Sequence, residues 1–461
     1  MKRYFRLFPF VLFATLVLTG CGSNSSTSNS TPPPAQPGSV FVTGEDAPLA
    51  SVVGLALTIN SITLTGQSHS PQALSTPTTV DFARLLGLRS PLAFNSIPAD
   101  TYTSATFVLA SPVISYVDMT QNPPALNTLN GTLPQSPYTV TVNFPTPMVV
   151  GSNGLAGLKM EFDIRQSLVV SNGQVTGAVN PVIYIKGTKA SDPDAQITDL
   201  TGGLVSVSEA TNSFIVQGPY GHQLTVYVNN ATLFNSGWSM TDLAAPAIVG
   251  VEGQFQADGS LLASGVEVIT TAQSFLSGRI LQITGSGQSL SVTMWVGETG
   301  ADMVSDVDTI QTINIGAVSE YAICFLDGPL ANALFNSTSL EVGQRIFIGG
   351  TYVNPTFTPQ MVSLRRQGVY GMLVPGTVTS GDSGGSFQLS NGGLIGYAAN
   401  GPVTVFTGND TLFFNLNGLS ALSGDSTPVP LITRGLLLEE PNNPGSIGFY
   451  AGLVAQPPQS N

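Results

Sequence analysis

The chain of 461 residues has a formal net charge of −13, with 14 basic side chains against 27 acidic ones. This balance excludes charge-driven binding of nucleic acid or anionic lipid, because phosphate recognition needs basic patches. With 42% hydrophobic and only 9% charged residues, the sequence is also not a disordered acidic chain. Its 50 glycines and 32 prolines indicate many turns, so the composition favours an all-β fold.

The N-terminus has the layout of a secretory signal. Lys2, Arg3 and Arg6 precede an uncharged apolar segment, residues 7–18, which ends in small residues and Cys21. This segment is shorter than the roughly 18 residues of a membrane-spanning helix. The sequence Leu-Thr-Gly-Cys at residues 18–21 resembles the lipobox of bacterial lipoproteins, which implies a signal peptide over residues 1–20 and a lipid on Cys21. The alternative is an ordinary signal peptide or a short anchor, with Cys21 there by chance.

Residues 21–38 are polar and contain several prolines. A segment of this composition cannot bury a core, so we expect a flexible tether between the membrane lipid and the first domain. Gly22 rather than aspartate follows Cys21, which is compatible with sorting to an outer membrane. The predicted location is the cell envelope, where the lipid anchor holds the protein at the outer membrane or the cell surface.

Residues 39–190 have the pattern of an antiparallel β-sandwich. Apolar residues largely alternate over residues 53–64 and again over residues 158–165, as in half-buried strands. Four blocks of this segment resemble a bacterial family, domain of unknown function 4382, which is common at the front of lipoproteins: residues 44–48, 80–82, 97–102 and 161–170. One departure is Asp100, where the family pattern has glycine. The resemblance implies an architecture and no chemistry, since the family has no assigned activity.

The remaining chain contains three similar units, residues 198–271, 274–366 and 369–456. Each has several short strands and a glycine-rich hairpin, a pattern that suits a small closed or nearly closed β-barrel. Residues 200–270 resemble domain of unknown function 5666, which occurs in tandem in exported bacterial proteins. The second unit carries an insertion, residues 296–315. The predicted fold is therefore all-β, with an N-terminal antiparallel β-sandwich followed by about three β-barrel modules in tandem.

One motif suggests catalysis. Gly-Asp-Ser-Gly-Gly-Ser at residues 381–386 matches the segment around the nucleophile of chymotrypsin-like proteases. Such an enzyme needs a histidine base close to the serine and oriented by a carboxylate. The two histidines are His69, in a loop of another domain, and His222, in a predicted hairpin turn. Glycine and aspartate are also the residues that a hairpin loop requires, so we interpret the motif as a turn and predict no enzyme activity.

Carboxylate pairs are the other candidate chemistry. Pairs that offer oxygen ligands to calcium occur at Asp192 and Asp194 and at Asp306 and Asp308. Neither pair is followed by the glycine and distant glutamate of a calcium loop, so we interpret both as solvated loops. Glu161 and Asp163 alternate along a strand together with Arg165, which we interpret as a surface charge ladder. Cys324 lies among apolar residues and is interpreted as a core residue. We predict no metal site and no cofactor.

Four aromatic residues are candidates for a sugar-binding surface, although core or rim packing is the simpler interpretation: Trp238, Trp295, Tyr220 and Tyr227. We expect a membrane-anchored exported lipoprotein with a non-catalytic role in binding, adhesion or envelope scaffolding. Its expected partners are membrane lipid, through Cys21, and a glycan or envelope protein. The alternative is an extracellular enzyme that acts on carbohydrate or peptide through carboxylates brought together by the fold. A third hypothesis is an accessory module of a secretion or polymer-export complex.

Overall fold

The computed structural model describes most of the chain from residue 37 onward. The described ranges are 37–47, 52–85, 88–171, 174–218, 220–234, 238–270, 274–323, 334–381, 384–391, 402–423, 427–440 and 446–457. They belong to one compact unit, Gln36–Asn461. The predicted signal peptide, Cys21 and Cys324 lie outside the described residues. In the described part of the chain, no helix combines the length and apolarity needed to cross a bilayer.

Residues 38–189 form a sandwich of two sheets. The strands are β1 (Gly38–Ala47), β2 (Val52–Gly66), β3 (Gln72–Leu74), β4 (Thr78–Asp81), β5 (Ser90–Ile97), β6 (Asp100–Asp118), β7 (Ala125–Asn130), β8 (Tyr138–Val150), β9 (Leu155–Asp163), β10 (Leu168–Ser171), β11 (Gln174–Val179) and β12 (Ile183–Lys189). One sheet has the order β12-β9-β1-β5, and the other β3-β2-β6-β7 with β4 on β2 and β8 on β6; β10 and β11 pair separately. Val40, Leu57, Phe107 and Leu158 meet in the core between the sheets. The predicted β-sandwich is confirmed.

One strand pair departs from the antiparallel expectation, because β1 runs parallel to β9, with Ser39 opposite Leu155. The run predicted to alternate up to residue 165 also stops early. The carboxylate of Asp163 accepts the N–H of Gln166 at 2.9 Å and caps a short helix, α1 (Ile164–Ser167). Short 3₁₀ helices occupy other connections: Phe82–Leu85, Pro193–Ala195, Glu209–Thr211, Met240–Asp242, Gly287–Ser289, Ala301–Asp306 and Leu419–Leu422.

Three further sheets follow, which we call modules 1, 2 and 3. Module 1 contains β13 (Gln196–Ser208), β14 (Ser213–Gln217), β15 (Gln223–Tyr227), β16 (Leu233–Phe234), β17 (Ile248–Phe255) and β18 (Leu261–Thr270). Module 2 contains β19 (Ser274–Thr284), β20 (Ser291–Thr299), β21 (Thr309–Asn314), β22 (Glu320–Ile323), β23 (Arg345–Val353) and β24 (Thr356–Leu364). Module 3 contains β25 (Gln367–Leu373), β26 (Thr379–Gly381), β27 (Gly384–Asn391), β28 (Val403–Phe414), β29 (Pro430–Glu439) and β30 (Ile447–Ala455).

Modules 1 and 3 are closed barrels. Their orders are β15-β14-β13-β17-β18-β16 and β25-β29-β30-β28-β27-β26, and the additional pairs β15–β18 and β25–β27 close them. Module 2, β21-β20-β19-β23-β24-β22, has the neighbour order of module 1, which supports the predicted repeat. The sequence predicted an insertion at residues 296–315, but these residues belong to the module itself. They complete β20 and form β21, which pairs with β20.

The sandwich and the modules share hydrophobic cores. Phe41 of β1 lies in the core of module 1, where its ring stacks on Phe255 with 4.2 Å between centroids. Val40 and Val42 pack into the sandwich core, so β1 is buried on both faces. Leu436 of module 3 likewise belongs to the core cluster of module 2. These contacts explain why the described residues form one compact unit.

A cluster of buried charges also joins modules 1 and 3. Nη1 of Arg366 lies 2.8 Å from both carboxylate oxygens of Glu252 on β17. Arg434 of β29 binds the same carboxylate. The three side chains are only 7–14% exposed. Because charges this deeply buried need partners, each member of the cluster depends on the others.

Candidate ligand-binding cleft

A cleft of about 820 Å³ lies where the sandwich meets modules 1 and 2. Ligand pockets for small molecules typically enclose about 300–1,000 Å³, so this volume is in the range of a binding site. Each part contributes side chains or backbone to the lining: Asp81 and Arg84 from the sandwich, Gly203 and Tyr220 from module 1, and Glu298 and Asp308 from module 2. The cleft therefore exists only because the three parts pack together.

Arg84 links two walls of the cleft. It lies on the 3₁₀ helix whose residues Phe82 and Leu85 are buried in the sandwich core. Nε of Arg84 lies 2.9 Å from Oδ2 of Asp81, and Nη2 lies 3.3 Å from Oδ1 of Asp308. Asp308 is 224 residues away in the sequence, so this guanidinium ties the sandwich to module 2.

The backbone of the sandwich fixes Asp81. Its Oδ1 accepts the N–H of Leu55 at 2.9 Å and that of Ala83 at 3.1 Å. Burial raises the pKa of Asp81 and outweighs the opposing effect of Arg84. For Arg84 the balance is reversed: burial alone would lower its pKa, but Asp81, Asp308 and Glu298 together raise it. Arg84 is therefore a firmly held cation between carboxylates.

Tyr220 and two valines are part of the uncharged surface of the cleft. Tyr220 packs against the sandwich core, and burial, with a contribution from Asp81, raises the pKa of its phenol above the ordinary value. The phenol is therefore neutral at physiological pH and offers one hydrogen-bond donor and acceptor. Val205 and Val304 also line the cleft and are 42% and 69% exposed. A ligand with both polar and apolar surface fits this lining.

The two segments that form most of the cleft each match a known family model. Residues 38–178 match Domain of unknown function (DUF4382), and residues 201–267 match Domain of unknown function (DUF5666). The chain carries both domains. Both resemblances seen in the sequence are thereby confirmed. No curated protein matches the chain. The DUF5666 match corresponds to module 1, so the cleft lies between the DUF4382 domain, the DUF5666 domain and module 2.

The protease-like motif lies in module 3, away from the cleft lining. Asp382 and Ser383 lie outside the described residues. On either side of them β26 and β27 pair antiparallel, with Gly381 opposite Gly384. The interpretation of the motif as a turn stays a prediction.

Both histidines have partners within the DUF4382 domain. Nδ1 of His69 lies 3.2 Å from Oδ2 of Asp100, which also accepts the backbone N–H of His69 at 2.8 Å. Nε2 of His222 lies 3.1 Å from the carbonyl oxygen of Leu92. Asp100, the departure from the family pattern, thus organises the loop that contains His69.

The predicted charge ladder on β9 is wrong. Glu161 and Asp163 are only 5% and 6% exposed, and Asp163 caps α1. Arg165 lies on this helix, with its guanidinium carbon 4.9 Å from the ring centroid of Tyr370 in module 3. The physical reason is that β9 is a central strand between β12 and β1, and an alternating pattern does not show that both faces of such a strand are covered.

The carboxylate pairs that we considered as calcium ligands and interpreted as solvated loops have partners within the protein. Asp308 binds Arg84 in the cleft, and Asp306 accepts a hydrogen bond from Nε2 of Gln311 at 3.3 Å. Asp192 accepts the backbone N–H of Lys189 at 2.8 Å, and the side chain of Asp194 lies outside the described residues. Within the described ranges, no three His, Cys, Asp or Glu side chains gather as metal ligands would.

The four aromatic candidates do not form one surface. Trp295 is 5% exposed and Tyr227 is 37% exposed. Trp238 packs against the core of module 1, and Tyr220 lines the cleft. Sequence reasoning missed Arg84 and Glu298. Arg84 lies two residues after the block at residues 80–82, on which the DUF4382 resemblance partly depends, so a signal for it was present; Glu298 has none.

Proposed function

We propose that the protein is an exported, lipid-anchored binding protein of the cell envelope, whose ligand occupies the cleft between the DUF4382 domain and modules 1 and 2. The observation that carries this proposal is the cleft of about 820 Å³ with its mixed polar and apolar lining. The lipobox-like sequence that ends at Cys21 supports the anchor.

The chemistry of the cleft favours a largely uncharged ligand, such as a glycan or a peptide segment of an envelope protein. Asp81 and Asp308 already neutralise Arg84, so a strongly charged ligand would compete with existing ion pairs. The neutral phenol of Tyr220 offers a hydrogen bond, and the exposed side chain of Val304 offers apolar contact. A role in binding therefore fits the site better than proton transfer by its carboxylates.

Filling the cleft tests this proposal. Gly203 lines the cleft, and a Cβ atom at this position meets no heavy atom within 4 Å. Gly203→Tyr is therefore expected to fold and to exclude the ligand. Binding of the purified protein to a glycan array and to envelope fractions should fall at least about tenfold. Gly452→Tyr is the matched control, because it is equally open and does not line the cleft.

Equal losses in the two glycine variants, or full binding by Gly203→Tyr, would show that the ligand binds elsewhere. The same assay addresses the enzyme alternative. If the wild-type protein released soluble sugar or peptide fragments from the envelope fraction, hydrolysis rather than binding would be the function.

The anchor is tested by metabolic labelling with a radioactive fatty acid. The wild-type protein should carry the label and sediment with membranes, whereas Cys21→Ala should carry none and appear in the soluble fraction, because it lacks the acyl chains that partition into the bilayer. Cys324→Ala, which changes the other cysteine of the chain, is the control and should label like the wild type. Equal labelling of Cys21→Ala would refute the anchor.

A further inference from the structure

A second, smaller pocket lies beside the cleft, where module 2 meets the sandwich and the start of module 3. Three of its residues form a row across neighbouring strands: Arg279 on β19 lies opposite Trp295 on β20 and opposite Arg345 on β23. Residues directly opposite in antiparallel strands point to the same face of the sheet. All three line a pocket of about 50 Å³, together with Arg84 and Glu298.

Two donors in this pocket are buried without an acceptor. Nη1 of Arg279 and Nε1 of Trp295 have no hydrogen-bond partner among the described residues. Trp295 is only 5% exposed, so solvent access does not account for its orphaned N–H. Buried donors normally have partners, and leaving one unsatisfied typically costs about 1–3 kcal/mol. An acceptor bound between the two side chains would satisfy both donors.

The charges of the pocket point to an anion. Like charges directly opposite on neighbouring strands repel each other, yet Arg279 and Arg345 are paired in this way. Burial and Arg345 lower the pKa of Arg279 to about 10, so Arg279 is still a cation at neutral pH. Glu298 lies 3.8 Å from Arg345, and the ion pairs of Arg84 are with Asp81 and Asp308. Among the described residues, no carboxylate pairs with Arg279, whose charged neighbour is Arg345.

We propose that this pocket binds a small oxyanion, a carboxylate or phosphate group, between the guanidinium of Arg279 and the indole N–H of Trp295, with Arg345 adding a second positive charge. A volume of about 50 Å³ exceeds the ~10–15 Å³ that one water molecule needs, so the pocket has room for a group of several heavy atoms. Arg279, Trp295 and Arg345 do not line the cleft, so the site does not depend on the function proposed for the cleft.

Titration with inorganic phosphate tests the site. Trp238 and Trp295 are the two tryptophans of the chain, so Trp238→Phe leaves Trp295 as the single fluorescent reporter in the pocket. In full-length protein at pH 7, sodium phosphate should change this fluorescence saturably, whereas sodium chloride at equal ionic strength should not. Sodium acetate in a parallel titration distinguishes a phosphate site from a carboxylate site by which ion binds more tightly.

Two variants locate the binding. Arg279→Met keeps an unbranched apolar stem and removes the guanidinium, and it should raise the dissociation constant for phosphate at least about tenfold. Trp295→Phe keeps an aromatic ring and removes the N–H, and calorimetry should show weaker binding. Arg165→Met, which changes an exposed arginine outside the pocket, is the matched control and should bind like the parent.

The outcomes are distinct. Saturable binding of phosphate or acetate that both pocket variants weaken and the control retains would support the site. The absence of a saturable signal from either oxyanion, an equal response to chloride, or unchanged binding by the pocket variants would overturn the proposal. If Arg279→Met does not fold, Trp295→Phe decides alone, because it leaves all charges in place.

Discussion

Replacing Phe41 by alanine is expected to lower the free energy of unfolding by about 3–5 kcal/mol. The side chain of Phe41 is fully buried, and its ring stacks on Phe255 at the contact between the DUF4382 domain and module 1. Removing the ring leaves a cavity between these two parts and also removes their main aromatic contact. The DUF4382 domain and module 1 should therefore lose stability together.

Differential scanning calorimetry of the full chain measures this effect. We expect the melting temperature to fall by roughly 5–10 °C. Phe94→Ala is the graded control, because Phe94 is half-buried and its ring centroid lies 6.4 Å from that of Phe255, so a smaller shift should follow. An unchanged melting temperature in Phe41→Ala would contradict a core shared by the sandwich and module 1.

Glu252→Gln is expected to be comparably destabilising. This change leaves Arg366 and Arg434 without the carboxylate that both bind, and breaking a buried ion pair by removing one partner typically costs about 3–5 kcal/mol. Glu209→Gln is the matched control, because Glu209 is exposed on a short helix, and a surface change of this kind usually stays within about 0.5 kcal/mol. Similar melting temperatures for the two variants would refute the structural role of the cluster.

The stability that Glu252 provides should depend on pH. Burial alone would raise the pKa of Glu252, but Arg366 and Arg434 outweigh burial and hold it below the ordinary value. A carboxylate with a lowered pKa in the folded state stabilises the fold above its unfolded pKa and loses that contribution as pH falls through the folded value. The difference in melting temperature between wild type and Glu252→Gln should therefore be constant near neutral pH and shrink below about pH 4.

Much of the fold was predictable, because period-two alternation reports strands directly. Residues 53–64 lie within β2, and the alternating run from residue 158 lies within β9 up to Asp163. The same patterns, with glycine-rich turns between them, also indicated the sandwich and the barrels. Family resemblance also identified the two domains, since it depends on short blocks of sequence that can be compared without knowledge of the fold.

Strand direction and double burial were not predictable from the same signal. Alternation looks the same in parallel and antiparallel strands, so the pairing of β1 with β9 was hidden. On β1, Val40 and Val42 face the sandwich while Phe41 faces module 1, and an apolar run of three residues does not say which core receives which side chain.

The candidate sites were still less accessible to sequence reasoning. The ion pair between Arg84 and Asp308 joins residues 224 positions apart, and the row of Arg279, Trp295 and Arg345 depends on the register of three strands. Local spacing carries no information about either. The pair of Asp306 and Asp308 is a local pattern, which we interpreted as a solvated loop, whereas the actual partner of Asp308, Arg84, is distant in the sequence.

The position of β1 has a mechanical consequence. This strand begins at Gly38 and is hydrogen-bonded along both edges, to β5 and to β9. Interstrand hydrogen bonds run across the strand axis, so tension applied through the residues before Gly38 loads many of them in shear at once instead of peeling them apart singly. In a molecule held by its N-terminus against flow, β1 would thus be the first strand to carry the load.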